Sequence, residues 1–190
     1  MKLARGIMLI AGCGLLLISA CAKQDQVGML KNFEAAYNSH DVNHIMALIA
    51  DDALFQIDSK VLNGKDAIRG RVVYDSVLEA QMEFSNISRQ GDSVLFDARE
   101  INEWLILAGM DEYHYRNCVA VFEKGLLKRL QAKTGEKTLV NIGQVFQDMA
   151  AWIPDSLAFE INDLLQSGYS AESARRWKIV LQQWKDDRMK

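Results

Sequence analysis

Three histidines, one cysteine beyond residue 21 and a scatter of acids are the side chains in this 190-residue sequence that could move a proton, hold a metal or act as a nucleophile. His40 and His44 are four apart and could share a helix face. His40 precedes the helix start expected at Asp41, however, and no third ligand stands at a recognisable spacing, so no metal site is expected. His114, near Glu112 and Arg116, could serve as a general base, although a lone strand histidine is more often a packed or surface residue. Cys118 has no sequence neighbour that would lower its pKa, and a buried, inert thiol is the default. Glycine-rich phosphate loops, nucleophile elbows and carboxylate pairs at informative spacing are all missing from the sequence, and no cofactor is expected.

The N-terminus carries a different chemistry. Lys2 and Arg5 flank an apolar run from Ile7 to Ile18, interrupted at Gly12, Cys13 and Gly14, and small residues Ser19 and Ala20 follow. That is the layout of a secretory signal over residues 1–20, and the run is shorter than the roughly 20 residues a bilayer-spanning helix needs. Ile18-Ser19-Ala20-Cys21 resembles the bacterial lipobox, which implies that Cys21 is acylated and becomes the first residue of a lipid-anchored protein. Two or more acyl chains, at roughly 0.8 kcal/mol per buried CH₂, give stable attachment to a bilayer. Ala22 stands where an aspartate would favour inner-membrane retention, so the expected place is the outer membrane, facing the periplasm.

Removing residues 1–20 would leave 20 basic against 25 acidic side chains, a balance that offers nothing to nucleic acid. With Cys13 lost and Cys21 acylated, Cys118 has no partner within the chain for a disulfide, and stability must come from a packed core. Nearly half of the residues are apolar, enough for one domain.

The elements that must position these side chains can be read from periodicity. Residues 21–26 are a short polar tether. Leu30, Phe33 and Tyr37 recur at helical spacing, and Asp41 can cap a second helix carrying Val42, Ile45, Met46 and Ile49. Ala53 to Ile57 reads as a strand, with Lys60 to Leu62 its partner across a turn at Asp58-Ser59, and Asp66 to about Ala80 as a third helix. Residues 82–133 are rich in aromatic and β-branched residues and broken at Gln90-Gly91-Asp92, Ala108-Gly109-Met110 and Lys124-Gly125, which predicts four strands joined by hairpins. Helical patterns return at Val140 to Ile153, Ser156 to about Gln166 and Ala171 to Asp186, with Pro154 near the start of the second. Helices followed by an antiparallel sheet indicate an α+β domain over 27–135, and 136–190 is expected to be a helical extension packed on it.

Asn38-Ser39-His40-Asp41-Val42, Leu48 to Ala53 and Gly64-Lys65-Asp66-Ala67-Ile68-Arg69 together resemble the SnoaL-like members of the nuclear transport factor 2-like superfamily. The resemblance implies a strongly curved antiparallel sheet wrapped around the N-terminal helices, a cone-shaped, cystatin-like roll with a pocket inside. Alternation along Val94 to Trp104 then turns Glu100, Asn102 and Trp104 inward, and Tyr113, Tyr115 and Asn117 are the favoured inward set of the next strand, unless a bulge inverts the register. With Phe33, Tyr37 and Ile57 these complete the expected ligand pocket. Within the superfamily, the resemblance to ketosteroid isomerase would place the oxyanion-stabilising tyrosine at Phe33 and the base at Ile57, neither of which can handle a proton. Asp58 takes the base position only if the alignment slips by one.

The expectation is a lipid-anchored envelope protein whose hollow, stripped of proton-transfer groups, binds a small apolar ligand, or whose surface meets a protein partner or a second copy. The alternative is a small-molecule isomerase, dehydratase or hydrolase using Glu100, Asp58 or His114, and a third reading is a structural envelope protein. The aromatic residues of the tail could roof the cone or cover the sheet.

Overall fold

The computed structural model of the chain describes residues 25–189; the expected export signal, the expected lipidation site Cys21 and most of the expected tether lie outside them. The Asp25 carboxylate accepts from the Gly28 N–H at 2.9 Å and opens α1 (Gln26–Asn38), so the fold begins one residue before the tether was expected to end. Asp41 accepts from the N–H groups of Asn43 and His44 and caps α2 (Val42–Ala47), as its residue type suggested. Strand β1 (Ile49–Ile57) starts earlier than Ala53, and β2 (Lys60–Asn63) returns beside it across the Asp58 turn. Helix α3 (Lys65–Val77) completes the three helices that precede the main sheet.

The next block holds β3 (Gln81–Gln90), β4 (Ser93–Ile101), β5 (Tyr113–Glu123) and β6 (Leu126–Thr134), the four strands expected. The second of them is shorter than its alternation implied. Asn102 caps a helix there, its side-chain oxygen accepting from the Leu105 N–H at 2.8 Å, and α4 (Glu103–Ala108) ends on Gly109 in the left-handed region. The apolar run after Asn102 suits strand and helix equally, and the cap selects the helix. Sheet order is β2-β1-β6-β5-β4-β3, antiparallel at every pair except β1 with β6, which is parallel.

Bulges bend this sheet around the helices. One falls between Ser85 and Ser88, where Asn86 has φ 52°, and another at Asn117, with φ 51°. The second corrects the reading of β5. Tyr115 is buried before the bulge, whereas Cys118, Ala120 and Phe122 are buried after it, so the inward face switches from one alternating set to the other. Asn117 is exposed and does not belong to the buried face of β5.

Two cores result. Leu30, Phe33, Ile45, Ile68 and Val72 fill the cone against Phe55, Phe84, Phe96 and Ala120. The second core joins the tail to the cone. Helices α5 (Glu136–Trp152), α6 (Asp155–Gln166) and α7 (Ala171–Arg188) bury Met149, Leu164, Trp177, Leu181 and Trp184 against Leu78, Trp104 and Leu105. Helix α7 packs on both α3 and α4. Among the described residues no helix is long and apolar enough to cross a membrane.

Candidate acid-base site

Arg71 and Asp75, one helical turn apart on α3, lie on the face that also buries Ile68 and Val72. An apolar stripe spaced i, i+4, i+7 thus delivers a carboxylate into the interior. Arg71 Nε donates to Asp75 Oδ2 at 2.5 Å, and its Nη2 lies 3.7 Å from Glu100 Oε2 on β4. The Tyr37 hydroxyl donates to the same Asp75 oxygen from α1, and the Tyr115 hydroxyl donates to Glu100 Oε2 at 2.8 Å from β5. Asn102 serves twice: its oxygen caps α4 while its nitrogen donates to Glu100 Oε1 at 2.6 Å. Asp75 and Glu100 are 1% and 2% exposed, so four elements converge on two carboxyl groups held away from water.

This cluster is a partition between two spaces. On its outer side is a cavity of about 390 Å³. Ile57, Asp58 and Lys60 form one edge, Tyr74 and Leu78 of α3 another, and Glu100, Asn102, Tyr113 and Tyr115 the polar end. Ile142 and Phe146 of α5, Tyr169 of the turn before α7, and Trp177 of α7 form the roof, so the tail covers the mouth of the cone. On the inner side a space of about 60 Å³ lies among Phe33, Phe55, Phe84 and Phe96, closed at one end by Tyr37, Asp75, Arg71 and Tyr115.

Burial is the largest influence on Asp75 and pushes its carboxyl up to about 6; Arg71 opposes the rise and the Glu100 charge adds to it. Its Oδ1 is buried and has no hydrogen-bond partner among the described residues. Burial likewise lifts the Tyr37 and Tyr115 phenols well above 10, which keeps them neutral donors. Burial pulls the Arg71 guanidinium down, but the charges around it, Asp75 foremost, raise it overall and it remains a cation. With both carboxyls ionised the cluster would carry a buried net negative charge, which is costly, and a proton taken up near pH 6 relieves it.

Of the residues singled out from sequence, Ile57, Glu100, Asn102, Trp104, Tyr113 and Tyr115 meet at the larger cavity, and Phe33 and Tyr37 line the inner one. Asp58 also reaches the cavity edge, in the left-handed region at φ 51°, but its carboxylate is occupied. It accepts from the Thr134 N–H at 3.0 Å and hydroxyl at 2.6 Å, stapling the β1–β2 turn to the end of β6. His114 lies on the opposite face of the sheet, 2.7 Å from Glu112. Cys118 is buried, its thiol pushed up to about 12 by burial, and among the described residues no three metal-ligating side chains cluster. Arg71 and Asp75 are the site residues that sequence reasoning missed; the one available signal was an aspartate continuing the Ile68–Val72 stripe, whereas Tyr169 was among the tail aromatics that could roof the cone or cover the sheet. The hollow is therefore not stripped of proton-transfer groups. They enter from α3 and β4 and not from the positions that Phe33 and Ile57 occupy.

No family model matches the sequence, and no curated protein is significantly similar to it. Solved structures do resemble it. The epoxide hydrolase/cyclase-like enzyme SalBIII, of pyran ring formation in the polyether salinomycin, superposes with a TM-score of 0.52 at 18% identity, over 62% of this chain and 95% of that one. A protein from Kribbella flavida gives 0.52 at 11% identity, over 63% and 92%. An NTF2-like protein of unknown function from Cytophaga hutchinsonii gives 0.48 at 11%, over 59% and 91%. At such identities the likeness speaks to fold and not to chemistry. In this chain a bulged sheet packs around three helices as a cone of the nuclear transport factor 2-like fold, here roofed by three further helices.

Proposed function

We propose that this protein is an acid-base enzyme acting on a small, uncharged, amphipathic molecule held in the roofed cavity. The observation that supports this reading is the buried Arg71 between Asp75 and Glu100, with Tyr115 and Asn102 fixing Glu100 at the cavity end. A carboxyl group with a perturbed titration beside a second buried carboxyl, at a concave and largely apolar site, is the usual making of proton transfer. Glu100 accepts the substrate proton, Arg71 and Asp75 fix the buried charge beside it, and Asn102, whose nitrogen already holds Glu100, donates its second N–H to charge developing on a substrate oxygen. An anionic substrate is disfavoured, because Arg71 already faces two carboxylates and Lys60 is turned onto the Tyr169 ring, 3.8 Å from its centroid. Ligand storage without chemistry would use the same cavity but has no use for two buried carboxyls.

The Kemp elimination of 5-nitrobenzisoxazole, a probe of carboxylate bases in apolar pockets, tests the assignment. Saturable turnover is expected, rising through about pH 6 as the cluster loses its proton, and Glu100→Gln should reduce kcat by about 10²-fold or more. No saturable rate, or a rate that survives in both Glu100→Gln and Asp75→Asn, would overturn the reading and return the fold to a binding or partner-presenting role.

The layout of residues 1–21 supports a place for this activity in the cell envelope, with Cys21 acylated and the domain facing the periplasm. Cys21→Ser should then move the protein from the membrane fraction to the soluble fraction of lysed cells. Retention of that variant in the membrane would refute the anchor.

A further inference from the structure

The tail does more at the cavity than exclude water. Tyr169 stands between α6 and α7, after Gly168 in the left-handed region at φ 69° and before Ser170, whose side chain and that of Ser173 form the capping box of α7. Its ring receives Lys60 on one side, with Nζ 3.8 Å from the centroid, and Arg71, with Cζ at 4.7 Å. The Tyr74 ring meets it edge-on at 5.2 Å. The backbone is as closely seated as the ring: a Cβ on Gly70 would lie 2.9 Å from the Tyr169 carbonyl oxygen. Glycine weakens the middle of a helix, and here its lack of a side chain is what admits the loop.

A guanidinium presents donors along its edges and leaves its faces to apolar or π partners. The edge of Arg71 is given to Asp75 and approaches Glu100. An aromatic ring can therefore shield the cation without competing for its N–H groups. We propose that Tyr169 is a positioning residue for Arg71, holding the guanidinium between Asp75 and Glu100 and keeping water from the partition, so that the C-terminal helices are an integral part of the site. The inference deepens the acid-base reading and rests on it for its catalytic consequence, but not for its structural one.

Asp75 is faced by Tyr37 from α1, Arg71 and Tyr74 from its own helix, Glu100 from β4 and Tyr115 from β5. Tyr169 meets Arg71 through its ring, so losing that ring changes the hydration of the cluster more than its charge. Admitted water relieves the burial that lifts the Asp75 titration, which must then fall towards that of an ordinary aspartate.

The test follows the Asp75 carboxyl carbon by NMR through a pH titration of the full chain. Wild type should titrate near 6. Tyr169→Phe, which keeps a ring, should retain that midpoint, whereas Tyr169→Ala should lower it by about half a pH unit or more. In the elimination assay the alanine variant should move the rise of kcat with pH downwards by the same interval. Gly70→Ala leaves the tyrosine intact but forces its carbonyl away, and should shift the midpoint in the same direction, which keeps the proposal testable if Tyr169→Ala fails to fold. An unshifted midpoint in Tyr169→Ala and Gly70→Ala, or a Tyr169→Phe midpoint as low as that of Tyr169→Ala, would overturn it. Because the titration needs no turnover, an inactive wild type would remove the acid-base reading and leave the positioning role to be decided by the midpoints alone.

Discussion

Arg99 and Glu100 are neighbours on β4 and point to opposite faces of the sheet, and each belongs to a cluster of one arginine with two carboxylates. On the outer face Arg99 pairs with Glu83 at 2.5 Å and Glu112 at 3.1 Å, and its side chain is 41% exposed. On the inner face Arg71 pairs with Asp75 at 2.5 Å and approaches Glu100 at 3.7 Å, and its side chain is 17% exposed against almost fully buried partners. The residue types are nearly the same, but the titrations move in opposite directions. Glu112 is held below the usual carboxylate range, by the His114 hydrogen bond first and Arg99 second, whereas burial lifts Asp75. Water decides the difference. Where it solvates the outer ions, attraction to a cation dominates; where it is excluded, desolvation outweighs even a close arginine.

The comparison is best broken by removing the two arginines in turn. Arg71→Met should cost about 3–5 kcal/mol in urea unfolding, because it leaves Asp75 and Glu100 buried without a cation. Arg99→Met should shift the unfolding midpoint far less, because water and salt screen its partners. Equal losses would mean that the inner cluster is hydrated.

The pH dependences should have opposite sign. Asp75 titrates at about 6 in the folded chain against an ordinary value of 3.8, so the native state holds its proton more tightly than the unfolded state does. Relative to Asp75→Asn, wild type should therefore be most stable below pH 3.8, lose that advantage as pH rises to about 6, and change little above. Glu112 is shifted downwards, so the advantage of wild type over Glu112→Gln should be present above its ordinary value of 4.5 and vanish as pH falls through its lower folded value. Unfolding midpoints measured between pH 3 and 8 would check both.

Salt sharpens the contrast further. Raising ionic strength towards about 1 M, where the screening length is about 3 Å, should erase the small Arg99→Met effect and leave the Arg71→Met effect nearly intact. The smallest expected change is that of His114→Ala, which lies across the sheet from the cavity and should leave turnover of 5-nitrobenzisoxazole as in wild type. A loss of rate there would place the chemistry on the wrong face.

Much of the architecture was legible because it is recorded locally. The Asp41 cap, the breaks at Gly91, Gly109 and Gly125, and the alternation that turns Phe96, Ala98 and Glu100 inward are properties of residues near one another in the chain. The bulge at Asn117 was open in advance, since either face of β5 fitted the pattern and a single left-handed residue settled it.

What the sequence determined alone was the order of helices and strands apart from α4, which side of β4 is apolar, and that Phe33 and Ile57 handle no proton. Whether the interior could perform chemistry was decided only by the tertiary structure. Asp75 sits some 25 residues before Glu100 and Tyr169 nearly 70 after it, and no periodicity links them. A carboxyl group acquires its titration from the water it loses and the charges it meets, and both are supplied by elements remote in the chain.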